Sequence, residues 1–256
     1  FVSHEEGRAV ISDAGPEYQY HLKDHLGNVR LTFTTKPAED EYTATLETSH
    51  YGEESADFPN YNEVTLSSVT MYNHTNEPSA TRSVVVNGAP DKQVGLAKSL
   101  RVLPGDTVNM EVFAKYFVPP STEGTGTFIA DAITSAFGLS TTSIGYEYSA
   151  YQSLNSIFSS GWVLGPNDWE DANAPKAFLN YILFDEDFTP YDMGWDQIDL
   201  SAAVTEQTPN PEHDALSLQA VVTKPGYVYI YLSNEEQENI VEVYFDDLKI
   251  KHKHGP

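Results

Sequence analysis

Alternation of apolar with other residues, interrupted by turn residues, is the feature that most constrains the fold of this chain. It is clearest where Val108, Met110, Val112 and Ala114 occupy every second position after a Pro104-Gly105-Asp106 turn. A period of two places these side chains on one face of a β-strand. Similar short segments recur along the chain with Gly or Pro turns between them, which is typical of an antiparallel β-sandwich. The sequence therefore predicts a mainly β fold.

Composition narrows the possible functions. The 256 residues carry 38 acidic and 14 basic side chains, for a formal net charge of -24. Such a charge repels phosphate backbones and anionic lipid, so we expect neither nucleic-acid binding nor membrane insertion. No segment has the roughly 18 consecutive apolar residues of a membrane-spanning helix. The absence of cysteine excludes disulfides, a thiol nucleophile and a cysteine-ligated zinc site.

One region departs from the β pattern. Apolar residues recur at helical spacing from Thr127 to Phe137, and Gly138 follows as a stop signal. A second short helix is expected from Tyr151 to Phe158. We therefore predict a helical excursion over about residues 121–160 that packs its apolar face on the sandwich. The acidity of the chain disfavours the alternative, a membrane-active hairpin.

The first 37 residues form a separate unit in the pattern. Strand-like alternation from Tyr18 to Leu22 is followed by a turn over Asp24–Asn28 and a second alternating segment from Val29 to Phe33. These features predict a β-hairpin. The polar stretch Lys36–Glu41 ends the pattern, so the predicted domains are residues 1–37 and 38–256.

The hairpin also carries a family motif. Its central segment, Tyr20-His21-Leu22-Lys23-Asp24-His25-Leu26-Gly27-Asn28-Val29-Arg30, resembles the core motif of RHS (YD-repeat) proteins of bacteroidete type. Residues His252–Pro256 resemble the return into such a core. The resemblance implies a β-sandwich domain inserted into an RHS hairpin of an exported bacterial protein. It also implies an extracellular or cell-surface location, with the rest of the parent RHS protein as a partner.

The sandwich segment resembles a second family. The Pro104-Gly105-Asp106 turn followed by a strand, and the ending Val243-Tyr244-Phe245-Asp246-Asp247-Leu248-Lys249-Ile250, are similar to those of carbohydrate-binding jelly rolls. The resemblance implies a jelly-roll-like antiparallel sandwich that binds a glycan without catalysis. It further implies that an aspartate of the ending helps to hold a structural Ca²⁺, together with an acid near the first strand.

The two aspartates of that ending occupy a break in the strand phase. Val243 and Phe245 share one face of the predicted last strand, whereas Leu248 and Ile250 lie on the other. Both sets reach the core only if a β-bulge shifts the phase at Asp246-Asp247. Carboxylates at a bulge suit Ca²⁺, which prefers several oxygen ligands. The predicted metal ligands are Asp246 and Asp247, together with Glu47, the acid that follows the predicted first strand. Glu53 and Glu54 are alternatives to Glu47.

Aromatic residues supply the candidate glycan contacts. Trp162, Trp169 and Trp195 are predicted in loop-like stretches, with Tyr191 nearby, where stacking and carboxylate hydrogen bonds can hold a saccharide. Tyr229 lies at the centre of a tyrosine ladder with Tyr227 and Tyr231 on one strand face. Two interpretations of the tyrosine ladder stay open: a stacking surface for sugar rings, or packing under the helical insertion or against the RHS hairpin. For the tryptophans the two interpretations are a stacking surface and loop anchoring.

Catalytic signatures are weak. The sequence has no Gly-Xaa-Ser-Xaa-Gly, P-loop or His-Glu-Xaa-Xaa-His motif, and no spacing selects a carboxylate pair. His252 and His254 share a strand face, which is slight evidence for a metal site. The sequence thus leaves three functions in order: a noncatalytic carbohydrate-binding module, a purely structural domain of an RHS shell, and a glycoside hydrolase.

Overall fold

In the computed structural model, β-strands are the main regular secondary structure of the chain. The described residues are 2–4, 6–12, 15–34, 38–89, 92–117, 130–140, 142, 146–159, 173–236 and 241–255. Their strands form three sheets, and nearly all neighbouring strands are antiparallel. Two of the sheets face each other across a common hydrophobic core. The predicted antiparallel sandwich of jelly-roll type, with a helical insertion, is confirmed.

The N-terminal sheet is a four-stranded meander. Its strands are β1 (Val2–His4), β2 (Gly7–Ser12), β3 (Gly15–Lys23) and β4 (Val29–Thr34). Strands β3 and β4 are the predicted hairpin. Asp24 orders their turn, since its Oδ1 accepts hydrogen bonds from the backbone N–H groups of Leu26 and Asn28, both at 2.9 Å. Gly27 has a φ of 83° there, which glycine adopts without strain.

The apolar side chains of the N-terminal sheet remain in solvent. Leu22 is 54% exposed, Leu31 53% and Phe33 44%. None of the three hydrophobic clusters found among the described residues includes a residue of this sheet. A small sheet without a buried face is marginally stable alone, so this one depends on its surroundings.

One sheet of the sandwich, the helix-covered sheet, has the strand order β11-β10-β14-β8. Its strands are β8 (Val94–Val102), β10 (Ala177–Asp185), β11 (Pro190–Gln197) and β14 (Gly226–Asn234). Strand β14 begins where two backbones approach closely. A Cβ at Gly226 would lie 2.0 Å from the carbonyl oxygen of Phe184, so only glycine fits.

The facing sheet, here the cleft sheet, has seven strands. They are β5 (Glu39–Ala44), β6 (Leu66–Ser67), β7 (Ser83–Val86), β9 (Thr107–Phe117), β12 (Ala203–Val204), β13 (Asp214–Val221) and β15 (Val243–Lys253). The last strand, β15, is central. It pairs with β9 along one edge and with β7 and then β5 along the other.

The core between these sheets follows the alternation in the sequence. Val108, Met110 and Val112 of β9 are at most 2% exposed, while the intervening Asn109 and Glu111 are exposed. Burial of apolar surface is the main contribution of this layer to stability, at about 25 cal/mol for each Å² removed from water. The inward face thus builds the core and leaves the outward face of β9 free for other contacts.

Helices cover the other side of the helix-covered sheet. They are α2 (Ala130–Ala136) and α3 (Tyr146–Ser159), within the predicted excursion. Ile133 of α2 and Leu154 of α3 are fully buried against it. Strand β10 is therefore buried on both faces, as its continuous apolar sequence predicts.

The remaining helices are short. They are α1 (Tyr51–Asp57) and two 3₁₀ turns, Thr70–Tyr72 and Leu200–Ala202. No helix in the described part of the chain is long and apolar enough to cross a membrane.

The two ends of the sandwich are neighbours. Strand β5 is the first strand of the sandwich in the chain and β15 is the last. The two strands pair, and Asp40 lies opposite His252. Beyond this pair the backbone N–H of His254 donates to the carbonyl of Ala38 at 2.9 Å. The segments that enter and leave the sandwich therefore run side by side.

Candidate functional site

The predicted acid pair, Glu47 and Asp246, is brought together by a third side chain. Glu47 follows β5, and Asp246 lies within β15. The amide nitrogen Nδ2 of Asn73 lies 3.2 Å from Glu47 Oε1 and 3.0 Å from Asp246 Oδ2. Asn73 belongs to the loop between β6 and β7. Carboxylates far apart in sequence thus share one partly buried hydrogen-bond donor.

Asp246 is the more unusual member of the acid pair. It is 1% exposed, and its Oδ2 accepts hydrogen bonds from the backbone N–H groups of His74 (2.6 Å) and Thr75 (2.9 Å). Its other oxygen, Oδ1, is buried without a hydrogen-bond partner. Burial raises the pKa of this carboxyl to about 6, although the backbone donors act in the opposite direction. An unpartnered buried oxygen leaves a position where a cation or a proton is favourable.

Glu47 completes an all-oxygen arrangement. Its Oε1 accepts hydrogen bonds from the backbone N–H groups of Thr81 and Arg82, both at 2.7 Å. The Asn73 amide nitrogen also donates to the carbonyl oxygen of Arg82 at 2.9 Å. Two carboxylates and a backbone carbonyl therefore surround this nitrogen. Oxygen ligands of these types are the ones that Ca²⁺ takes in proteins, so the residues fit such an ion.

The predicted β-bulge is confirmed. The register of β15 against β9 shifts between Asp246 and Lys249, and Asp247 has a φ of 53°. Phe245 and Leu248 are both buried in the core as a result. The bulge also separates the two aspartates. Asp247 Oδ2 lies 3.3 Å from Nδ1 of His74, whereas Asn73 joins Asp246 to Glu47.

Glu54, an alternative acid in the sequence analysis, has a different role. Its Oε1 accepts hydrogen bonds from the backbone N–H and hydroxyl of Thr45, both at 2.7 Å, and its Oε2 from the N–H of Leu46 at 2.9 Å. Leu46 has a φ of 64°. The buried carboxylate of Glu54 therefore holds a strained turn after β5, while Glu53 of the same helix is exposed.

A second candidate site lies on the outward face of the cleft sheet, and sequence reasoning missed it. A cleft of about 410 Å³ opens there, which we call the polar cleft. Its lining residues come from β9, β13 and β15: Asn109, Met110, Glu111, Ser217, Leu218, Gln219, Lys249 and Lys251. The sequence signal that could have indicated the polar cleft is the polar residues at the outward positions of the alternating strands. Polar residues at such positions are ordinary on any exposed strand face, so they did not stand out.

Register explains how the polar cleft is built. Asn109 lies between Lys251 on β15 and Gln219 on β13, and Gln219 Nε2 donates to Asn109 Oδ1 at 2.7 Å. The next outward row has the same order, with Glu111 between Lys249 and Ser217. Amide, carboxylate, hydroxyl and ammonium groups therefore stand in two parallel rows. Together they offer both donors and acceptors to a polyhydroxylated ligand.

Tyr229, predicted to contact a glycan, is buried. It is 7% exposed and lies under the helices, with its ring centroid 4.4 Å from that of Phe137. Tyr231 is 2% exposed in the same cluster. The stacking interpretation of the tyrosine ladder is thus wrong, and packing beneath the helical insertion is observed. The physical reason is that the apolar side chains of α2 and α3 pack on this face of the sheet and remove it from solvent.

The other aromatic candidates do not form one surface. Tyr191 packs on the sandwich core, and its hydroxyl donates to the carbonyl of Lys224 at 3.3 Å. Trp195 is partly buried two residues beyond Met193, which packs under the helices, so its side chain lies on the same, helix-facing side of β11. Trp162 and Trp169 fall outside the described residues.

No protein-family model matches the sequence, and no curated protein matches it. One similar structure contains the CBM22-1 and GH10 modules of Clostridium thermocellum endo-1,4-β-D-xylanase 10B with xylohexaose. It is 11% identical with a TM-score of 0.35, over 76% of this chain and 25% of that one.

Two further structures are similar at the same level. The CBM22-1 xylan-binding domain of Paenibacillus barcinonensis Xyn10C is 11% identical with a TM-score of 0.32, over 75% of this chain and 82% of that domain. The enzymatically active domain of tailspike protein 4 of bacteriophage CBA120 is 7% identical with a TM-score of 0.35, over 82% of this chain and 19% of that one. Likenesses this low assign no ligand to the chain.

Proposed function

We propose that this chain is a noncatalytic carbohydrate-binding module whose ligand lies along the polar cleft. The single observation that carries the proposal is an accessible cleft of about 410 Å³ with two parallel rows of polar side chains. Sugar hydroxyl groups both donate and accept hydrogen bonds, and the amides of Asn109 and Gln219 do the same. Rows of such groups along adjacent strands suit an extended ligand with repeated hydroxyls.

The charge of the cleft favours a neutral glycan. Lys249 and Lys251 are offset by Glu41 of β5, whose carboxylate oxygens lie 3.9 and 3.6 Å from their ammonium nitrogens. The chain as a whole carries a formal charge of -24. Long-range repulsion therefore acts against polyanionic glycans, weakening beyond roughly 8 Å at physiological salt.

The carboxylate content of the cleft supports binding over hydrolysis. Glycoside hydrolysis by the common mechanisms uses two carboxyl groups that flank the scissile bond. Among the described residues that line the cleft, Glu111 alone carries a carboxylate. Glu41 beside it is engaged with the two lysines.

A structural Ca²⁺ accompanies this proposal. Glu47, Asp246 and the carbonyl of Arg82 would hold the ion at the position on which their oxygens converge, where it would displace the amide nitrogen Nδ2 of Asn73. The unpartnered Oδ1 of Asp246 supports this choice. The ion supplies positive charge that offsets the buried carboxylates, and it would fasten the loop between β6 and β7 to β15.

The setting of the module is also proposed. We infer that it belongs to an exported RHS-type bacterial protein at the cell surface or outside the cell. The exposed apolar side chains of the N-terminal sheet, such as Leu22 and Leu31, support packing against the rest of that protein. The side-by-side ends of the sandwich at Ala38 and His254 are compatible with insertion into a hairpin.

The test is affinity electrophoresis of the parent through a panel of soluble neutral glycans, including xylan, with a sulfated polysaccharide as the charged comparison. Asn109→Ala and Gln219→Ala are expected to abolish retardation, since each removes about 1–2 kcal/mol of hydrogen bonding. Gln152→Ala is the matched control, because Gln152 is exposed on α3.

Each outcome selects between the proposed functions. Absence of retardation by every glycan would favour a purely structural module. Retardation that survives both cleft substitutions would move the binding site elsewhere. Trp162→Ala, Trp169→Ala and Trp195→Ala would then test the aromatic residues predicted from the sequence. Release of reducing sugar from any glycan would favour a hydrolase.

A further inference from the structure

Two histidines and two aspartates gather at the end of the sandwich where its first and last strands meet. His252 and His254 are two residues apart on β15 and its extension, so their side chains share a face. Their ring centroids lie 4.1 Å apart. Asp40 lies directly across from His252 on β5, and Asp106 approaches from the turn between β8 and β9.

The contacts within this histidine cluster are short. His254 Nε2 lies 3.0 Å from Asp40 Oδ2, and His252 Nε2 lies 2.8 Å from Asp106 Oδ2. The second nitrogen of His254, Nδ1, lies 4.0 Å from the same Asp106 oxygen. One ring nitrogen of each histidine and one oxygen of Asp40 lie within 4.8 Å of one another. Small side-chain movements bring such a set around a single ion.

The environment of the cluster holds it in place. His252 and Asp106 are only 3% and 2% exposed, while His254 and Asp40 face solvent at the rim. Asp106 Oδ1 accepts a hydrogen bond from the backbone N–H of Gly255 at 2.7 Å, and its Oδ2 another from Leu103 at 2.9 Å. A carboxylate fixed in this way orients the imidazole to which it is hydrogen-bonded, as carboxylates do behind metal-binding histidines.

We propose that His252, His254 and Asp40 bind a divalent transition-metal ion of the Zn²⁺ class, with Asp106 orienting His252. Two imidazoles and a carboxylate are ligands that Zn²⁺ accepts, and three protein ligands leave a fourth position open to water. Ca²⁺ prefers oxygen alone, so this site is chemically distinct from the acid pair. The proposal does not depend on glycan binding.

A bound ion would act on the edge of the cleft sheet. In the described part of the chain, β5 pairs with β15 alone, through residues Glu39–Ala44. Because Asp40 lies on β5 and His252 lies on β15, an ion bound by both would link the two strands. The ion would therefore clip the first strand of the sandwich to the last one.

The experiment is calorimetric titration of the folded full chain with Zn²⁺, followed by thermal unfolding with and without the ion. We expect one Zn²⁺ to bind per chain and to raise Tm. His254→Ala and Asp40→Asn should each weaken Zn²⁺ binding by about tenfold or more. Both residues lie at the rim, so the folded state should tolerate these changes, and circular dichroism checks this.

Two controls separate the cluster from other sites. His50→Ala removes an exposed histidine whose Nε2 likewise contacts a carboxylate, that of Glu77 at 2.8 Å, and it should leave Zn²⁺ binding unchanged. Asp246→Asn should also leave it unchanged. The proposal is overturned if the parent binds no Zn²⁺, or if His254→Ala and Asp40→Asn bind it as the parent does.

Discussion

The ring of His74 stacks on that of Phe113, with centroids 3.5 Å apart and planes inclined by 9°. This contact joins the loop between β6 and β7 to the outward face of β9. The backbone N–H of the same His74 donates to Asp246 at 2.6 Å. The stack therefore holds the loop at the position from which it completes the acid pair.

Phe113→Ala tests this role of the stack. The substitution is expected to lower the free energy of unfolding by about 1–2 kcal/mol, because it removes both ring stacking and buried apolar surface. For a chain of this size that corresponds to roughly 2–4 °C in Tm per kcal/mol. Phe117→Ala on the same strand is the control, since Phe117 is 45% exposed and should change stability little. Equal losses in the two variants would contradict the role given to the stack.

Asp246→Asn tests the proposed calcium site. In the parent, Ca²⁺ is expected to raise Tm and a chelator to lower it, since an ion at a hundredfold excess over its Kd adds about 2.7 kcal/mol to a state that alone binds it. The substitution removes a ligand charge, so the response to Ca²⁺ should disappear. Asp187→Asn, at an exposed position, should retain it. A parent whose melting curve ignores both Ca²⁺ and chelator would exclude the site.

Because of the buried carboxyl of Glu235, we expect the free energy of unfolding to fall as the pH rises toward 8. Burial raises the pKa of its carboxyl from 4.5 to about 8, and its Oε1 has no hydrogen-bond partner. The folded state thus holds the proton more tightly than the unfolded one. Its contribution is complete below pH 4.5 and is lost as the pH rises through 8, at up to about 1.4 kcal/mol per pH unit.

Denaturant unfolding of Glu235→Gln across pH 5–9 measures this contribution. The variant cannot ionise at this position, so its stability should fall less with rising pH than that of the parent. Glu206→Gln, at an exposed position, should follow the parent curve. Parallel curves for the parent and Glu235→Gln would show that Glu235 does not titrate in this range.

Tyr229→Ala distinguishes packing from ligand contact. Because Tyr229 is 7% exposed beneath the helices, its truncation should lower the free energy of unfolding by about 3 kcal/mol. Glycan retardation of the folded fraction should persist. Tyr148→Ala on α3 is the control, since Tyr148 is 39% exposed. Unchanged stability with lost retardation would restore the stacking interpretation.

The sequence predicts well what depends on local periodicity. The bulge at Asp246 can be predicted from the sequence, because the apolar residues around Phe245 and around Leu248 alternate in opposite phases. Both sets reach the same core only if the strand contains an extra residue between them. The helical excursion was accessible from spacing, and its stop at Gly138 is observed with a φ of 70°. Such features need only a few neighbouring residues to be specified.

Features that depend on strand pairing were not accessible in the same way. Asp40 meets His252 because β5 and β15 are neighbours, and no local pattern specifies which strands pair. Asn73, which joins the acid pair, lies in a loop whose course is set by its partners. Tyr229 could be assigned to ligand or core only after the position of α2 was known. Distant pairing therefore decides most of the candidate sites.

The hydrogen bond between Ala38 and His254 has a consequence for any polypeptide that continues on both sides of the sandwich. Such a polypeptide leaves and resumes its course within one strand spacing, about 4.8 Å. Loop-closure entropy rises with the length of flexible chain, but a folded sandwich is not flexible chain. A host hairpin would thus close around it as around a tight turn, and the domain could be deleted or exchanged without straining its host.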